Sequence, residues 1–143
     1  MDAIDRAILE LLVKDARRSI TDIAEKVNLS VAPVKRRIDR LEHSGVITGY
    51  TALVDHSRLG AGFEAFTELR FAGDTKVEAI TGAAKSIPEV IEVFTVAGDP
   101  DALVRIRVEN LQHLQQVVDN LRQSGKVIGT KTLMVLGSWR RSG

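Results

Sequence analysis

Cysteine is absent from this sequence, aromatic residues are few, and the net charge is close to zero. A chain without cysteine has neither a disulfide framework nor a thiolate metal site, which fits a reducing compartment. No apolar run approaches the ~18 residues that span a bilayer, and the first residues show no signal-peptide pattern. We therefore expect a cytoplasmic protein without a membrane segment. With a net charge of +1, affinity for a polyanion would have to come from local clusters of basic residues.

The 143 residues are enough for one ordinary domain or two small ones, and 44% of them are hydrophobic. Up to about Gly45 the apolar residues repeat with helical spacing, first in one stripe and then in a shorter segment that Ser19 or Thr21 would cap. A third helix begins after Ser30. None of the three is long enough to be stable alone, so they must share a core as in a helix-turn-helix domain. We assign this domain to residues 1–50.

The second half of the chain has a different period. Residues 46–55 are rich in β-branched side chains and predict a strand or wing, and the glycines of residues 56–62 mark a domain boundary within a strand or linker at 51–62. Over residues 63–143, strand and helix periods alternate in the order β-α-β-β-α-β, with Gly125 ending the second helix. The predicted fold class is α+β, a winged helix-turn-helix domain followed by a ferredoxin-like domain.

One face of the predicted sheet has no helix to cover it. Two helices can cover only one side, towards which Leu69, Phe71 and Val104 would point, whereas Phe66 and Leu103 remain on the other. An uncovered apolar face usually meets a partner, so we infer a homodimer through the sheet domains. The alternative is a set of scattered surface apolar residues, which are common on folded proteins.

The third helix, "SVAPVKRRIDRLEHSG" (30–45), carries four basic residues within six positions. At 100° per residue, Val34, Ile38 and Leu41 form a core-facing stripe, and Arg36 and Arg40 lie on the opposite side. A slim helix tip with free N–H groups and a basic body suits the major groove of DNA. The alternative is a solvated helix whose charges only maintain solubility. For DNA binding, we predict phosphate contacts from Arg37 and Arg40, and base-edge contacts from Ser30, Val31, Ala32, Lys35 and Arg36.

These residues resemble a known family. The stretch from Arg37 to Tyr50, with "DAIDRAILELLVKDAR" ahead of it, is similar to the N-terminal part of the Lrp/AsnC (feast/famine) transcriptional regulators. The family signature has the form R-V-x-R-L-E-x-x-G-x-I-x-G-Y, and the resemblance implies a ligand-sensing βαββαβ domain after the DNA-binding domain. Two positions depart from the family pattern. Val31 stands where proline is common, and Ala102 replaces the aromatic residue of the usual G-D-x-D-Y turn.

The turn "VAGDPD" is the second candidate site. Gly98 allows close backbone approach, and Asp99 and Asp101 could bind an ammonium group, although a plain polar hairpin turn explains the same residues. The resemblance implies a small amino-acid effector near this turn, at an interface between dimers, and octamers of four dimers. It also implies Thr130 and Thr132 as lining residues, while β-branched residues simply filling a strand account for them nearly as well.

No catalytic or metal-ligating pattern appears. The three histidines lie in separate elements, and no glycine-rich phosphate loop is present. We expect neither an enzyme nor a cofactor, but a regulator that binds specific double-stranded DNA and responds to an amino acid. The alternatives are a small-molecule-binding regulatory subunit of an enzyme and a non-specific architectural DNA-binding protein. Salt-titrated binding to promoter and random DNA separates the three.

Overall fold

In this computed structural model, which describes residues 1–124 and 126–141, three helices form the N-terminal part of the chain. They are α1 (Ala3–Lys14), α2 (Ile20–Val27) and α3 (Val31–His43). The side chains of Asp2 and Ser19 accept hydrogen bonds from backbone N–H groups at the starts of α1 and α2, as N-caps do. Asn28 ends α2 in the left-handed conformation, with φ 57°, which allows the sharp turn towards α3.

The three helices share one hydrophobic core, as predicted. Its buried members are Ile8 and Leu12 of α1, Ile23 and Ala24 of α2, and Val34, Ile38 and Leu41 of α3. Full burial of each large aliphatic side chain contributes ~1.5–3 kcal/mol relative to its exposed state. The core therefore determines which side of α3 turns inward and which side meets solvent.

The strand or wing predicted over residues 46–55 is wrong for this chain. The Ile47 N–H donates to the Leu41 carbonyl at 3.0 Å, which turns the chain back onto the helical core after α3. From there to Asp55 the backbone is neither helix nor strand. A strand needs a neighbour for its hydrogen bonds, and no described segment pairs with this one. A short 3₁₀ turn, His56–Arg58, follows.

The remainder of the chain forms a four-stranded antiparallel sheet with two helices. In chain order the elements are β1 (Phe63–Phe71), α4 (Val77–Lys85), β2 (Val90–Thr95), β3 (Ala102–Val108), α5 (Leu111–Arg122) and β4 (Val127–Met134). The strand order β2-β3-β1-β4 places β2 and β4 at the two edges. The predicted βαββαβ order and α+β class are thus confirmed. Gly125, predicted to end α5, lies outside the described residues.

The chain divides into two compact units with separate cores. Among the described residues, one contains Met1–Leu53 with residues 139–141, and the other contains Val54–Ser138. In the second unit, α4 and α5 pack on the face of the sheet that carries Ala65, Leu69, Phe71, Val104 and Ile106. The opposite face, here called the open face, carries Phe66, Leu103, Phe94 and Leu133. The uncovered apolar side chains predicted for this face are therefore present.

Two further observations concern residues 1–124 and 126–141 only. None of the helices there has the length and apolar character needed to cross a bilayer. No group of three or more histidine, aspartate or glutamate side chains is arranged to hold a metal ion.

Candidate DNA-binding and effector-binding sites

The exposed side of α3 is basic. Lys35, Arg36 and Arg40 are exposed, and none of them forms a salt bridge within the part of the chain that the structure describes. Arg36 and Arg40 are four residues apart, so they lie on the same side of the helix. A cation without an internal partner can pair with an external anion without first breaking a contact. This face can therefore receive a polyanion.

The start of α3 also keeps its hydrogen-bonding groups free. Ser30 occupies the N-cap position of α3, but its side chain makes no capping hydrogen bond. The following Val31 and Ala32 are exposed. Because the first N–H groups of a helix have no partner inside it, this end of α3 presents both a hydroxyl group and backbone donors to an external acceptor.

Arg37, predicted from the sequence to contact a phosphate, differs from its neighbours because its guanidinium is bound within the chain. Its Nη1 donates to Asp2 Oδ1 and Oδ2 at 2.8 Å each and to Asp5 Oδ1 at 3.0 Å. The Arg37 guanidinium lowers the pKa of the Asp2 carboxyl to about 2. Asp2 and Asp5, in turn, raise the pKa of the Arg37 guanidinium. Two carboxylates already neutralise this cation. The structure thus places Arg37 between α3 and the start of α1, because the packing of the two helices brings them together.

The two carboxylates in the turn between β2 and β3 bind groups of the same chain. Asp101 Oδ2 accepts a hydrogen bond from the Phe71 N–H at 2.8 Å. Asp99 pairs with Arg70 Nε at 2.7 Å, which raises the pKa of Arg70. Gly98 has φ 115°, a conformation that side chains rarely allow. Within one chain, Asp99 therefore binds the Arg70 guanidinium where a ligand's ammonium group was predicted, and Asp101 binds the backbone at the end of β1.

Thr130 and Thr132 lie on the helix-facing side of β4, beside α5. Thr130 Oγ1 accepts from Arg122 Nε at 3.1 Å and Nη2 at 2.6 Å, and Thr132 Oγ1 lies 3.2 Å from Thr67 Oγ1. A cavity of about 330 Å³ is lined by Leu111, Leu114, Gln115, Val118, Arg122, Thr130 and Thr132. Sequence reasoning missed Arg122, whose only signal is a basic residue in the last turn of α5.

The structure does not bring the two predicted parts of the effector site together in one chain. Thr130 pairs with Leu69 of β1, whose side chain faces the helices, whereas Arg70, the partner of Asp99, is the next residue and faces the opposite side. A small ligand cannot touch both sides of a sheet. The larger cavity of about 530 Å³, which includes His56, Arg107 and His113, contains none of the predicted effector residues.

The open face combines the apolar side chains with an ion cluster in which the two cations Arg105 and Arg107 face the two carboxylates of Glu64 and Glu92. Arg105 Nε and Nη2 each donate to a carboxylate oxygen of Glu64 at 2.9 Å, and Arg107 Nη2 donates to Glu64 at 2.6 Å. Arg105 first, and then Arg107, lower the pKa of Glu64. Because the cations and carboxylates of this cluster pair with one another, burying the cluster against a second surface costs less free energy than burying isolated ions.

Known proteins match this chain over both units. A family model of the AsnC-type helix-turn-helix domain matches residues 1–42, and one of the Lrp/AsnC ligand binding domain matches residues 64–143. The HTH-type transcriptional regulator Rv2324 of Mycobacterium tuberculosis is 35% identical over 138 residues, covering 96% of this chain and 93% of its own. The leucine-responsive regulatory protein of Rhizobium meliloti is 35% identical over 139 residues, covering 95% and 89%.

A solved structure agrees with the sequence matches. A transcriptional regulator of Neisseria meningitidis in complex with L-Met superposes with a TM-score of 0.87 at 26% identity, covering 99% of this chain and 94% of that one. Two of these relatives are named as transcriptional regulators and the third as a regulatory protein, none as an enzyme. The resemblance carried by the stretch from Arg37 to Tyr50 is confirmed. This chain belongs to the Lrp/AsnC family of transcriptional regulators, with an AsnC-type helix-turn-helix domain followed by an Lrp/AsnC ligand-binding domain.

Proposed function

We propose that this protein reads specific double-stranded DNA through the exposed side of α3 and adjusts that binding to a small amino acid. The observation that carries the proposal is the basic surface of α3, where Lys35, Arg36 and Arg40 have no internal ion pair among the described residues. A helix of 13 residues whose inner stripe is buried and whose outer side is cationic has the form needed to enter a major groove.

The residues of α3 divide into two proposed roles. Arg40, in the body of the helix, contacts a backbone phosphate and so positions the domain. Lys35 and Arg36, with the Ser30 hydroxyl, reach base edges, where a basic side chain can bind guanine. The small apolar surface of Val31 and Ala32 suits the methyl group of thymine. These contacts together give the sequence preference.

Selection of duplexes from a random library by the full-length protein, followed by affinity measurements at several salt concentrations, tests this role. We expect a selected-to-random affinity ratio of ~10³ or more. Arg40→Ala should reduce the slope of log affinity against log salt by ~0.9 on every duplex. Arg58→Ala removes another exposed charge, from the 3₁₀ turn, and should leave the slope unchanged. Equal affinity for all duplexes would instead support an architectural protein, and no binding at low salt a regulatory subunit.

The proposed assembly is a homodimer formed through the open face, with isologous contacts. Support comes from the apolar side chains of Phe66, Phe94, Leu103 and Leu133 together with the neutralised Glu64 cluster. Two recognition helices would then contact half-sites one helical turn apart, at ~34–36 Å, on a pseudo-palindromic operator. Further association, up to an octamer of four dimers, is part of the same proposal and is measured by sedimentation equilibrium.

The proposed effector is a small amino acid, as in the relative solved with L-Met. Arg122 supplies a guanidinium group for the α-carboxylate in the cavity that Thr130 and Thr132 line. Asp99 pairs with Arg70 on the other side of the sheet, and Asp101 binds the Phe71 N–H, so a contribution of the Gly98–Asp101 turn to the same ligand would come from a second copy of the chain.

A thermal-shift screen against the proteinogenic amino acids tests the effector site. A ligand that prefers the folded state raises the melting temperature, and we expect at least one amino acid to do so. Arg122→Gln should abolish that rise. Lys126→Gln, which removes an exposed charge that does not line the cavity, should retain it. If Arg122→Gln keeps the full shift, the ligand binds elsewhere.

The proposed functional division of the chain follows from these roles. Residues 1–50 bind DNA, residues 51–62 connect the two parts, and residues 63–143 bind the effector and associate. A protein of this kind has to reach the chromosome, so we place it in the cytoplasm.

A further inference from the structure

An ion cluster joins the start of α1 to the middle of α3. We call it the Asp2–Asp5–Arg37 clamp. Besides their contacts with Arg37, the two carboxylates hold one another's backbone: the Asp5 N–H donates to Asp2 Oδ1 at 2.9 Å, and the Asp2 N–H donates to Asp5 Oδ2 at 3.1 Å. Each of the four carboxylate oxygens therefore accepts at least one hydrogen bond. The carboxylates therefore need no hydrogen bond from outside the chain.

The clamp is directional because it consists of hydrogen bonds, and the buried position of Asp5 requires such a partner. Asp5 is only 6% exposed, and it is the one ionisable residue in the buried set of the described chain. A carboxylate in that position needs a cation or several donors to remain charged. Arg37 supplies the cation from 32 positions further along the chain. The other side chains that hold α3 in the helical core are the apolar Val34, Ile38 and Leu41, whose packing has no comparable directionality.

The charges around Arg37 make it a poor phosphate ligand. One guanidinium faces two carboxylates, and Asp2 is 56% exposed at the edge of the cluster. A phosphate that approached Arg37 would also meet the negative charge of Asp2. Arg36 and Arg40, by contrast, have no acidic partner within residues 1–124 and 126–141.

We propose that Arg37 is a positioning residue, which fixes α3 on α1 through Asp2 and Asp5 and thereby sets the register in which α3 reads base pairs, without itself contacting DNA. The inference rests on the proposed DNA-reading role of α3. Recognition groups have to be held within ~0.5 Å of their productive geometry, which a hydrogen-bonded ion cluster achieves better than apolar packing alone. Loss of the clamp then lowers sequence discrimination more than it lowers general affinity for DNA.

The experiment compares Arg37→Gln with Arg40→Gln, since both remove one guanidinium from the same helix. The probes are the duplex that the wild-type full-length protein enriches from a random library and a random duplex of equal length. For Arg37→Gln we expect an unchanged salt slope on random DNA and a fall of about tenfold or more in the selected-to-random ratio. For Arg40→Gln we expect the slope to fall by ~0.9 on both duplexes with little change in the ratio.

Two gentler variants separate positioning from loss of folding. Arg37→Lys keeps a cation for Asp2 and Asp5 and should recover part of the ratio. Asp2→Asn keeps a good N-cap but removes the charge, and should lower the ratio without changing the slope. These two variants decide the question if circular dichroism shows that Arg37→Gln does not fold.

Specific results overturn the inference. A salt slope that falls by ~0.9 in Arg37→Gln would identify Arg37 as a phosphate contact. An unchanged selected-to-random ratio in folded Arg37→Gln, or in both gentler variants, would show that the clamp has no part in base reading. If the wild-type protein enriches no duplex at all, the proposed DNA-reading role fails first, and this role for Arg37 fails with it.

Discussion

Replacing Leu133 with alanine tests whether the open face forms the dimer. Leu133 is 48% exposed on β4 and pairs with Phe66 of β1. Full burial of a leucine side chain is worth ~1.5–3 kcal/mol, so burying the exposed half contributes ~0.7–1.5 kcal/mol in each copy. An isologous interface uses the residue twice, and the substitution should therefore cost the dimer ~1.5–3 kcal/mol. The dimer dissociation constant should rise ~10- to 150-fold.

Sedimentation equilibrium over a range of protein concentrations measures this change. Val13→Ala is the matched control, because Val13 is 64% exposed on α1 and lies outside the sheet. We expect the control to retain the wild-type dissociation constant, and circular dichroism should show that both variants keep their secondary structure. The reasoning is refuted if Leu133→Ala dimerises as tightly as wild type, or if the wild-type protein itself stays monomeric.

Two further predictions concern the two units separately. In the sheet unit, folding lowers the pKa of the Glu64 carboxyl below its unfolded value of 4.5. The ionised carboxylate therefore stabilises the fold above pH 4.5, and this stabilisation is lost as the pH falls through the folded pKa. Glu64→Gln should therefore reduce the free energy of unfolding at neutral pH and make that free energy depend less on pH in acid, as measured by urea unfolding. Identical dependence of the unfolding free energy on pH in the variant and the wild type would contradict this. In the helical unit, Ile23 is fully buried, and Ile23→Ala should cost ~2–5 kcal/mol in the same assay, whereas a loss below ~1 kcal/mol would disprove its core position.

The elements that follow from local periodicity could be predicted from the sequence. The spacing of Val34, Ile38 and Leu41 is a property of one helix, and it gave both the buried stripe of α3 and the exposed position of Arg36. Alternation along residues 63–71 likewise gave β1 and its buried face. In each case neighbours a few positions apart carry the whole signal.

Features that depend on distant residues could not be predicted. The role of Arg37 depends on two aspartates more than 30 positions earlier, which only the packing of α1 on α3 brings near. The β-branched stretch at residues 46–55 has the composition of a strand but no partner within the described chain. The separation of Asp99 from Thr130 on opposite faces of the sheet appears only once the register of β4 against β1 is known.

None of the side chains proposed to read bases belongs to the core of the helical unit. Ser30, Val31, Ala32, Lys35 and Arg36 all lie at the surface, where a substitution usually alters stability by no more than ~0.5 kcal/mol. Substitutions at these positions can thus change which operator the protein prefers without unfolding the domain. Since the sensing sheet is stabilised by different residues, a lineage could acquire new target genes and still answer to the same metabolite.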